Sequence, residues 1–513
     1  MKKAQNRPTG NSIPRLILVG ISLLFQIGWL LLLILRLNEH SLWISLLTGT
    51  LSLIVVLRLY SRHTTAAMKM PWIMLILVFP VMGLSLFLMT ELLGNMGGTG
   101  KRLRAVQGEL RGQLSQSPAA FTALEARDRC AANQSRYLLN HTGHPVYANT
   151  SAVYYGDCSD ALEAMKADLE KAESFIFMEY FIVRDGSAFR ELREILERKA
   201  REGVEVRFLY DDIGSVGYVN WGFARKMNQA GIHCAPFNPA LPVLNPFMNH
   251  RDHRKITVID GRVGYTGGYN LSDEYFGREF PYGRWKDTGL RLEGEAVRSL
   301  TASFLEMWHI SVRDREPAGK YLEVSHSVPH AEGFVQPFGD DPLAKERTAE
   351  NVYLNLISAA SRTFYIMTPY LIITDELSRA LGLAAKRGVD VRIITPGIPD
   401  KKMVYAMTRS YYGVLASQGV RIFEYSPGFC HAKQCICDGR YAAVGTSNWD
   451  FRSLYHHFEN DVLLIDSPAV EGISRDFEAM FPQCREVTEK YRSGKNAILR
   501  TWQCLLRLFS PLA

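Results

Sequence analysis

The feature that most constrains this chain is an internal repeat. Residues 174–182 (SFIFMEYFI) resemble 363–372 (TFYIMTPYLI), and 201–210 (REGVEVRFLY) resemble 386–395 (KRGVDVRIIT). Residues 230–237 (AGIHCAPF) resemble 418–425 (QGVRIFEY), and 253–270 (HRKITVIDGRVGYTGGYN) resemble 431–448 (HAKQCICDGRYAAVGTSN). Four blocks recur in one order, offset by about 180 to 190 residues. Within each copy a short β-branched and aromatic run reads as a buried strand. A charged, Leu/Ala-rich helix follows, ending at a glycine, and then a second strand such as VRFLY or VRIIT. This alternation predicts two similar α/β lobes, each a mixed sheet flanked by helices, sharing one pseudo-twofold site where they meet.

The fourth block carries the chemistry. In the first copy it presents His253, Lys255, Asp260, a Gly267-Gly268 pair and Asn270; in the second, His431, Lys433, Asp438, Gly445, Ser447 and Asn448. Residues i and i+2 of a strand share a face, so His and Lys project together. Lysine supplies positive charge and asparagine an amide donor, both suited to phosphate oxygens. Histidine can act as nucleophile or general acid near neutral pH. A glycine-rich turn lets backbone amides approach an anion. A single copy could be a strand with a satisfied histidine and a surface lysine. Two copies at matching places in a repeat supply an attacking imidazole and a protonating one. The candidate catalytic set is therefore His253, Lys255, Asp260, His431, Lys433 and Asp438, with the two aspartates reading as structural partners within the motif. Asn270, Asn448 and Ser447 are the candidate substrate-binding side chains.

Ahead of the repeat lie three apolar stretches, 16–35, 42–57 and 71–89. The first is uncharged and long enough to span a bilayer. It is too long for a signal-peptide core and is followed by two more. The third contains Pro80 and Gly83. Basic residues precede the first stretch (Lys2, Lys3, Arg7, Arg15), separate the second and third (Arg58, Arg62, Lys69) and follow the third (Lys101, Arg102, Arg104, Arg111). Positive charge favours the cytoplasmic side. Three full crossings cannot put all of these there, so the second or the third stretch is expected to be re-entrant or interfacial. The expected organisation is a membrane region over 1–93 with two to three helices, a linker and neck over 94–145, lobe 1 over 146–325, and lobe 2 over 326–513. Residues 496–508 either lie on the bilayer surface or pack as a core helix. The loop 218–249 reads as an ordinary structured surface loop, with the lipid entrance as the other reading.

A net charge of +7 fits anionic partners without choosing between lipid headgroups and nucleic acid. Eight scattered cysteines read as reduced and cytosol-facing. Cys430, Cys435 and Cys437 near His431 lack the second ligand pair of a structural zinc site, so no metal and no cofactor is expected.

The paired H-x-K-x4-D pattern resembles the phospholipase D superfamily. The stretches HRKITVIDGRVGYTGGYNLSDEYFGR, RWKDTGLRLEG, FHAKQCICDG, GTSNWDFRSLYHHFEND, PWIMLILVFPVMG and the terminal FSPLA resemble bacterial cardiolipin synthases. The resemblance runs from about residue 41 onward. It implies a metal-free phosphatidyl transfer between two phosphatidylglycerol molecules through a phosphohistidine. The implied roles are His253 as nucleophile and His431 as general acid, an order the symmetric sequence leaves open. Lys255, Lys433, Asn270 and Asn448 would hold the phosphoryl oxygens, and Glu459 and Asp287 would orient the imidazoles. Gly289, Gln434, Trp449 and His457 depart from the family's usual residues, which leaves the second substrate open: phosphatidylethanolamine, glycerol, another alcohol or water. The implied setting is a multi-pass protein of the cell membrane with cytoplasmic lobes, acting on membrane lipids. Rival readings are a nuclease, disfavoured by the apolar stretches, and a scaffold with degenerate lobes, disfavoured by two intact motifs.

Overall fold

The computed structural model describes residues 42–512 apart from 63, 95–98, 240–248, 313–315, 325, 493–505 and 509, together with isolated positions before residue 42. Lobe 1 contributes β1 (Thr150–Tyr155), β2 (Phe175–Tyr180), β3 (Glu205–Asp211), β4 (His233–Phe237), β5 (Arg251–Asp252), β6 (Lys255–Ile259), β7 (Val263–Gly267), β8 (Arg284–Lys286) and β9 (Gly289–Gly294). Seven of these form a sheet in the order β1-β9-β7-β6-β2-β3-β4. Strands β2, β3 and β4 run parallel, because helices such as Ser187–Arg201 return the chain across the sheet. The remaining pairings are antiparallel.

Lobe 2 repeats this with β10 (Phe334–Asp340), β11 (Thr363–Met367), β12 (Leu371–Ile372), β13 (Asp390–Pro396), β14 (Arg421–Tyr425), β15 (Gly428–Cys430), β16 (Gln434–Cys437), β17 (Tyr441–Gly445), β18 (Trp449–Asp450), β19 (His457–Ile465) and β20 (Cys484–Glu486). Its order, β10-β19-β17-β16-β11-β13-β14-β20, matches lobe 1 strand for strand and adds β20 at the edge. The two sheets face each other across a shared core. Phe177, Leu209 and Leu292 of lobe 1 and Ile394, Val444 and Val462 of lobe 2 meet there with the helices Val297–Val312 and Pro468–Met480. Each sheet's outer face has its own apolar cluster.

The stretch expected to be a linker is instead helical: Thr99–Arg111, Pro118–Arg127 and Arg129–Thr142. Ser117 and Asp128 cap the last two by accepting from the amides of Ala120 and of Cys130 and Ala131. The Arg111 guanidinium donates to both oxygens of Glu306, at 2.7 and 3.1 Å, and so fastens this neck to the central helix. Its glycines misled because Gly100 and Gly108 sit within one amphipathic helix whose leucines, Leu103 and Leu110, are buried.

Among the described residues no helix is long and apolar enough to cross a membrane. The second apolar stretch lies in the helix Leu42–Ser61. The third is two helices, Ala66–Val78 and Pro80–Gly94, broken at Phe79. The first stretch, residues 240–248 of the loop, and 496–505 of the C-terminal segment lie outside the described residues. Further on, Leu506 is buried and Arg507 donates to Ser410, a packed rather than surface-lying end.

Candidate active site

Both motifs are built by one local device, used twice. Strand β5, just before His253, leaves its own sheet and pairs in parallel with β19 of lobe 2, Arg251 opposite His457 and Asp252 opposite Phe458. The His253 amide then donates to the Phe458 carbonyl at 2.9 Å. The next residue, Glu459, has both carboxylate oxygens 2.9 Å from His253 Nδ1. On the other side β15, just before His431, pairs in parallel with β8 of lobe 1. The His431 amide donates to the Lys286 carbonyl at 2.7 Å, and the next residue, Asp287, has Oδ2 2.6 Å from His431 Nδ1. Each lobe therefore supplies the carboxylate that faces the other lobe's imidazole.

The supports are buried. Arg251 pairs with Asp211 through contacts of 2.8 to 3.0 Å, which pins β5 against lobe 1. Thr446 Oγ1 donates to Glu459 Oε2 at 2.5 Å. Asn460 accepts from the Lys255 amide and donates to Thr266 at 2.7 Å, bridging the lobes. Asp287 accepts from the Thr288 amide at 2.8 Å. Gly268 leaves Asp287 its place, since a Cβ there would lie 2.0 Å from Oδ1. Aromatic rings wall the imidazoles: Phe181 and His457 beside His253 at 4.9 and 5.4 Å, Tyr275 and Trp285 beside His431 at 5.3 and 5.5 Å.

This enclosure sets the electrostatics. Burial, reinforced by the charges of Lys255 and Lys433, holds both His253 and His431 well below the ordinary imidazole range. Both rings are thus neutral at rest. With Nδ1–H donated to a carboxylate, Nε2 carries the free lone pair. Lys255 is fully buried and is drawn down to about 7 by desolvation, with Glu459 opposing. Lys433 is drawn down to about 8, with Asp287 opposing. Burial pushes Asp287 up to about 6. Each lysine ammonium donates to the carbonyl of its own motif histidine, and Lys433 Nζ also lies 2.6 and 3.0 Å from the His431 ring nitrogens.

The motif's other residues divide. Asp260 lies at the far end of β6, about 16 Å of extended chain from Lys255. It has positive φ (52°) and accepts from the amides of Glu173, Ser174 and Phe175. Asp438 (φ 54°) does the same for Ser361, Arg362 and Thr363. Neither is placed for catalysis; each caps the start of the adjoining strand, which corrects their place in the catalytic set. Ser447 spends its hydroxyl on Asp461, at 2.5 Å. Asn270 is held by the Ile182 amide and the Tyr275 hydroxyl. Asn448 Oδ1 is buried and makes no hydrogen bond. Sequence reasoning missed Thr446, Asn460 and Lys401. The first two flank quoted motif residues; Lys401 lies in a loop with no motif, yet its charge acts on both histidines.

Among the described residues, His253, His457 and Glu459 form the one group with metal-ligand spacing, their ligand atoms lying within 4.8 Å of one another. Lys255 and Lys433 stand beside them and favour an anion over a cation there. Taken together, the arrangement can bind a phosphoryl group between two neutral imidazoles, attack it with one, and pass a proton through the other.

A family model described as cardiolipin synthase, PLD-like domain, matches residues 165–308 and 353–481. A cardiolipin synthase of Halalkalibacterium halodurans is 32% identical over 494 residues, covering 92% of this chain and 96% of its own. A cardiolipin synthase of Geobacillus kaustophilus is 37% identical over 370 residues, covering 72% and 74%. An uncharacterized protein of Streptococcus mutans is 38% identical over 457 residues, covering 89% and 99%. Among solved structures, a phosphatidylserine synthase of Haemophilus influenzae superposes with a TM-score of 0.56 at 14% identity, over 74% of this chain and 97% of its own. That likeness concerns the fold.

Proposed function

The chain belongs to the cardiolipin synthase family of phosphatidyltransferases, and on that premise we propose that it joins two phosphatidylglycerol molecules into cardiolipin and glycerol. His253 Nε2 attacks the phosphorus of the first lipid. The bond from phosphorus to the headgroup glycerol breaks, and His431 protonates the departing oxygen. Glycerol leaves, and a phosphatidyl group stays on His253. The terminal hydroxyl of a second phosphatidylglycerol gives its proton to His431 and attacks phosphorus, which breaks the phosphorus–nitrogen bond and restores His253. Lys255 and Lys433 neutralise the equatorial oxygens throughout. Glu459 and Asp287 orient the two rings and stabilise whichever becomes imidazolium. No metal or other cofactor has a role in this scheme.

The observation that carries the reading is the crossed pairing of two buried His–carboxylate sets, each with its lysine, at one lobe interface. The anionic partner is then a lipid headgroup rather than nucleic acid. A place in the cell membrane, with more than one crossing and cytoplasmic lobes, is supported by the apolar stretches, their basic flanks and the free thiols of the seven described cysteines.

The test uses phosphate-labelled phosphatidylglycerol in detergent–lipid micelles. Cardiolipin and glycerol should appear in equal amounts. His431→Ala should leave a lipid-phosphoryl adduct on the peptide carrying His253, and His253→Ala should form none. Phosphatidate as the main product would make water the acceptor, a new lipid on adding another alcohol would widen the acceptor class, and an adduct at His431 would reverse the two roles.

A further inference from the structure

We propose that the third apolar stretch does not cross the bilayer but enters it as a re-entrant helical hairpin, so that both of its ends lie on the side of the catalytic lobes. The inference rests on the membrane reading above and adds to it the path of the chain. Helices Ala66–Val78 and Pro80–Gly94 fold back on each other about Phe79 and Pro80. Their contacts pair outward from that turn. A Cβ on Gly83 would lie 2.6 Å from the Ile76 backbone, so only glycine permits the close approach. One step further from the turn, the rings of Trp72 and Phe87 meet edge to face at 5.6 Å. At the open end the Arg62 guanidinium, just past the helix Leu42–Ser61, donates to both oxygens of Glu91 at 2.9 and 2.7 Å. Lys69 donates to the Arg62 carbonyl at 2.9 Å. The first helix of the hairpin begins, and the second ends, at one cluster of charge.

Length and polarity fit partial insertion. At 13 and 15 residues, the two arms reach about 20 Å, short of the ~30 Å hydrocarbon core. Residues 70–90 contain no charge. The tip presents Leu77, Val78 and Phe79 to the surroundings, more than half exposed. The hydroxyls of Ser85 and Thr90 donate back to carbonyls of their own helix, those of Val81 and Phe87. A lipid phase accepts such a tip where water does not. The charges group accordingly: Arg58, Arg62, Lys69 and Glu91 at the base, and Lys101, Arg102 and Arg104 in the neck helix that follows. The base is also where the lobes begin, since Ala67 and Met68 pack on the outer core of lobe 2. A re-entrant third stretch lets every basic cluster share one membrane face, which three crossings would forbid.

The test is vectorial labelling of the full chain in sealed vesicles of both orientations. Thr64→Cys, Phe79→Cys and Lys101→Cys are each treated with a membrane-impermeant maleimide and read peptide by peptide, so the native cysteines stay in place. Vesicle flotation checks membrane association separately, and cardiolipin formation by each variant checks that it is folded. The expected result is labelling of Thr64→Cys and Lys101→Cys in the same orientation, at least tenfold over the other, with Phe79→Cys labelled in neither until detergent is added. Labelling of Thr64→Cys and Lys101→Cys from opposite faces would overturn the hairpin, leaving the membrane reading intact. Free labelling of Phe79→Cys in intact vesicles would overturn insertion, as would a Phe79→Cys disulfide dimer, which would put a second copy of the chain over the tip. Failure to float would remove the membrane reading itself.

Discussion

Replacing Glu459 by glutamine is the sharpest perturbation of the site, because its neighbours dictate how the new amide must turn. Thr446 Oγ1 donates to Glu459 Oε2 at 2.5 Å. The glutamine oxygen retains that bond, which leaves its NH2 facing His253 Nδ1. An N–H cannot face another N–H, so the imidazole proton shifts to Nε2 and the attacking lone pair is lost. In other histidine catalysts the same exchange of the orienting carboxylate for an amide lowers kcat by about 10⁴, or about 5 kcal/mol of barrier. A second effect adds in the same direction. Glu459 supports the charge on Lys255, whose pKa is already drawn down to about 7. Removing the carboxylate lowers it further, and the lysine becomes neutral at pH 7. The expected outcome is a fall of at least 10³ in the rate of cardiolipin formation with little change in thermal stability. The assay is initial rate against phosphatidylglycerol at fixed detergent, with a melting curve on the same sample. Retention of activity within tenfold of the parent would refute the tautomer argument, because the ring would then be held correctly without the carboxylate.

Further outcomes follow from the same geometry. The rate profile should have an alkaline limb between about pH 7 and 8, where the free enzyme's Lys255 and Lys433 lose their protons. Lys255→Arg should move that limb upward even if it lowers the maximum, and a limb left in place would remove Lys255 from phosphate binding. Gly268→Ala should cost at least a hundredfold in kcat, on the scale of misplacing a reacting group by about 1 Å, since its Cβ would occupy the space of Asp287 Oδ1; a kcat near that of the parent would show that Asp287 can move without harm. Asp260→Ala should lose three charge-assisted bonds to backbone amides and so about 3 kcal/mol or more in chemical denaturation. The folded fraction should retain its KM, and a large rise in KM with unchanged stability would return Asp260 to the site.

The path of the chain before the lobes was partly legible. Counting basic flanks showed that three crossings conflict, but which stretch yields depended on Phe79–Pro80 and on Gly83 meeting the Ile76 backbone. The neck was misread for a related reason: its glycines suggested a linker, whereas the burial of Leu103 and Leu110 against the body made it a helix. Secondary structure of that kind comes from packing of an amphipathic face more than from propensity.

The repeat, the α/β character of each lobe and the two His–Lys sets follow from the sequence by itself. Each is encoded over a few neighbouring residues, by strand alternation, helix-ending glycines and side-chain chemistry. What the tertiary structure alone decided is which carboxylate faces which imidazole. Glu459 is 206 positions from His253 and Asp287 is 144 from His431. They meet because β5 and β15 each leave their own sheet to pair with the opposite lobe. It likewise separated the motif's aspartates from its histidines: a strand that carries His and Lys together at one end necessarily carries Asp260 or Asp438 to the other, where a turn with positive φ needs a residue that can satisfy the next strand's amides.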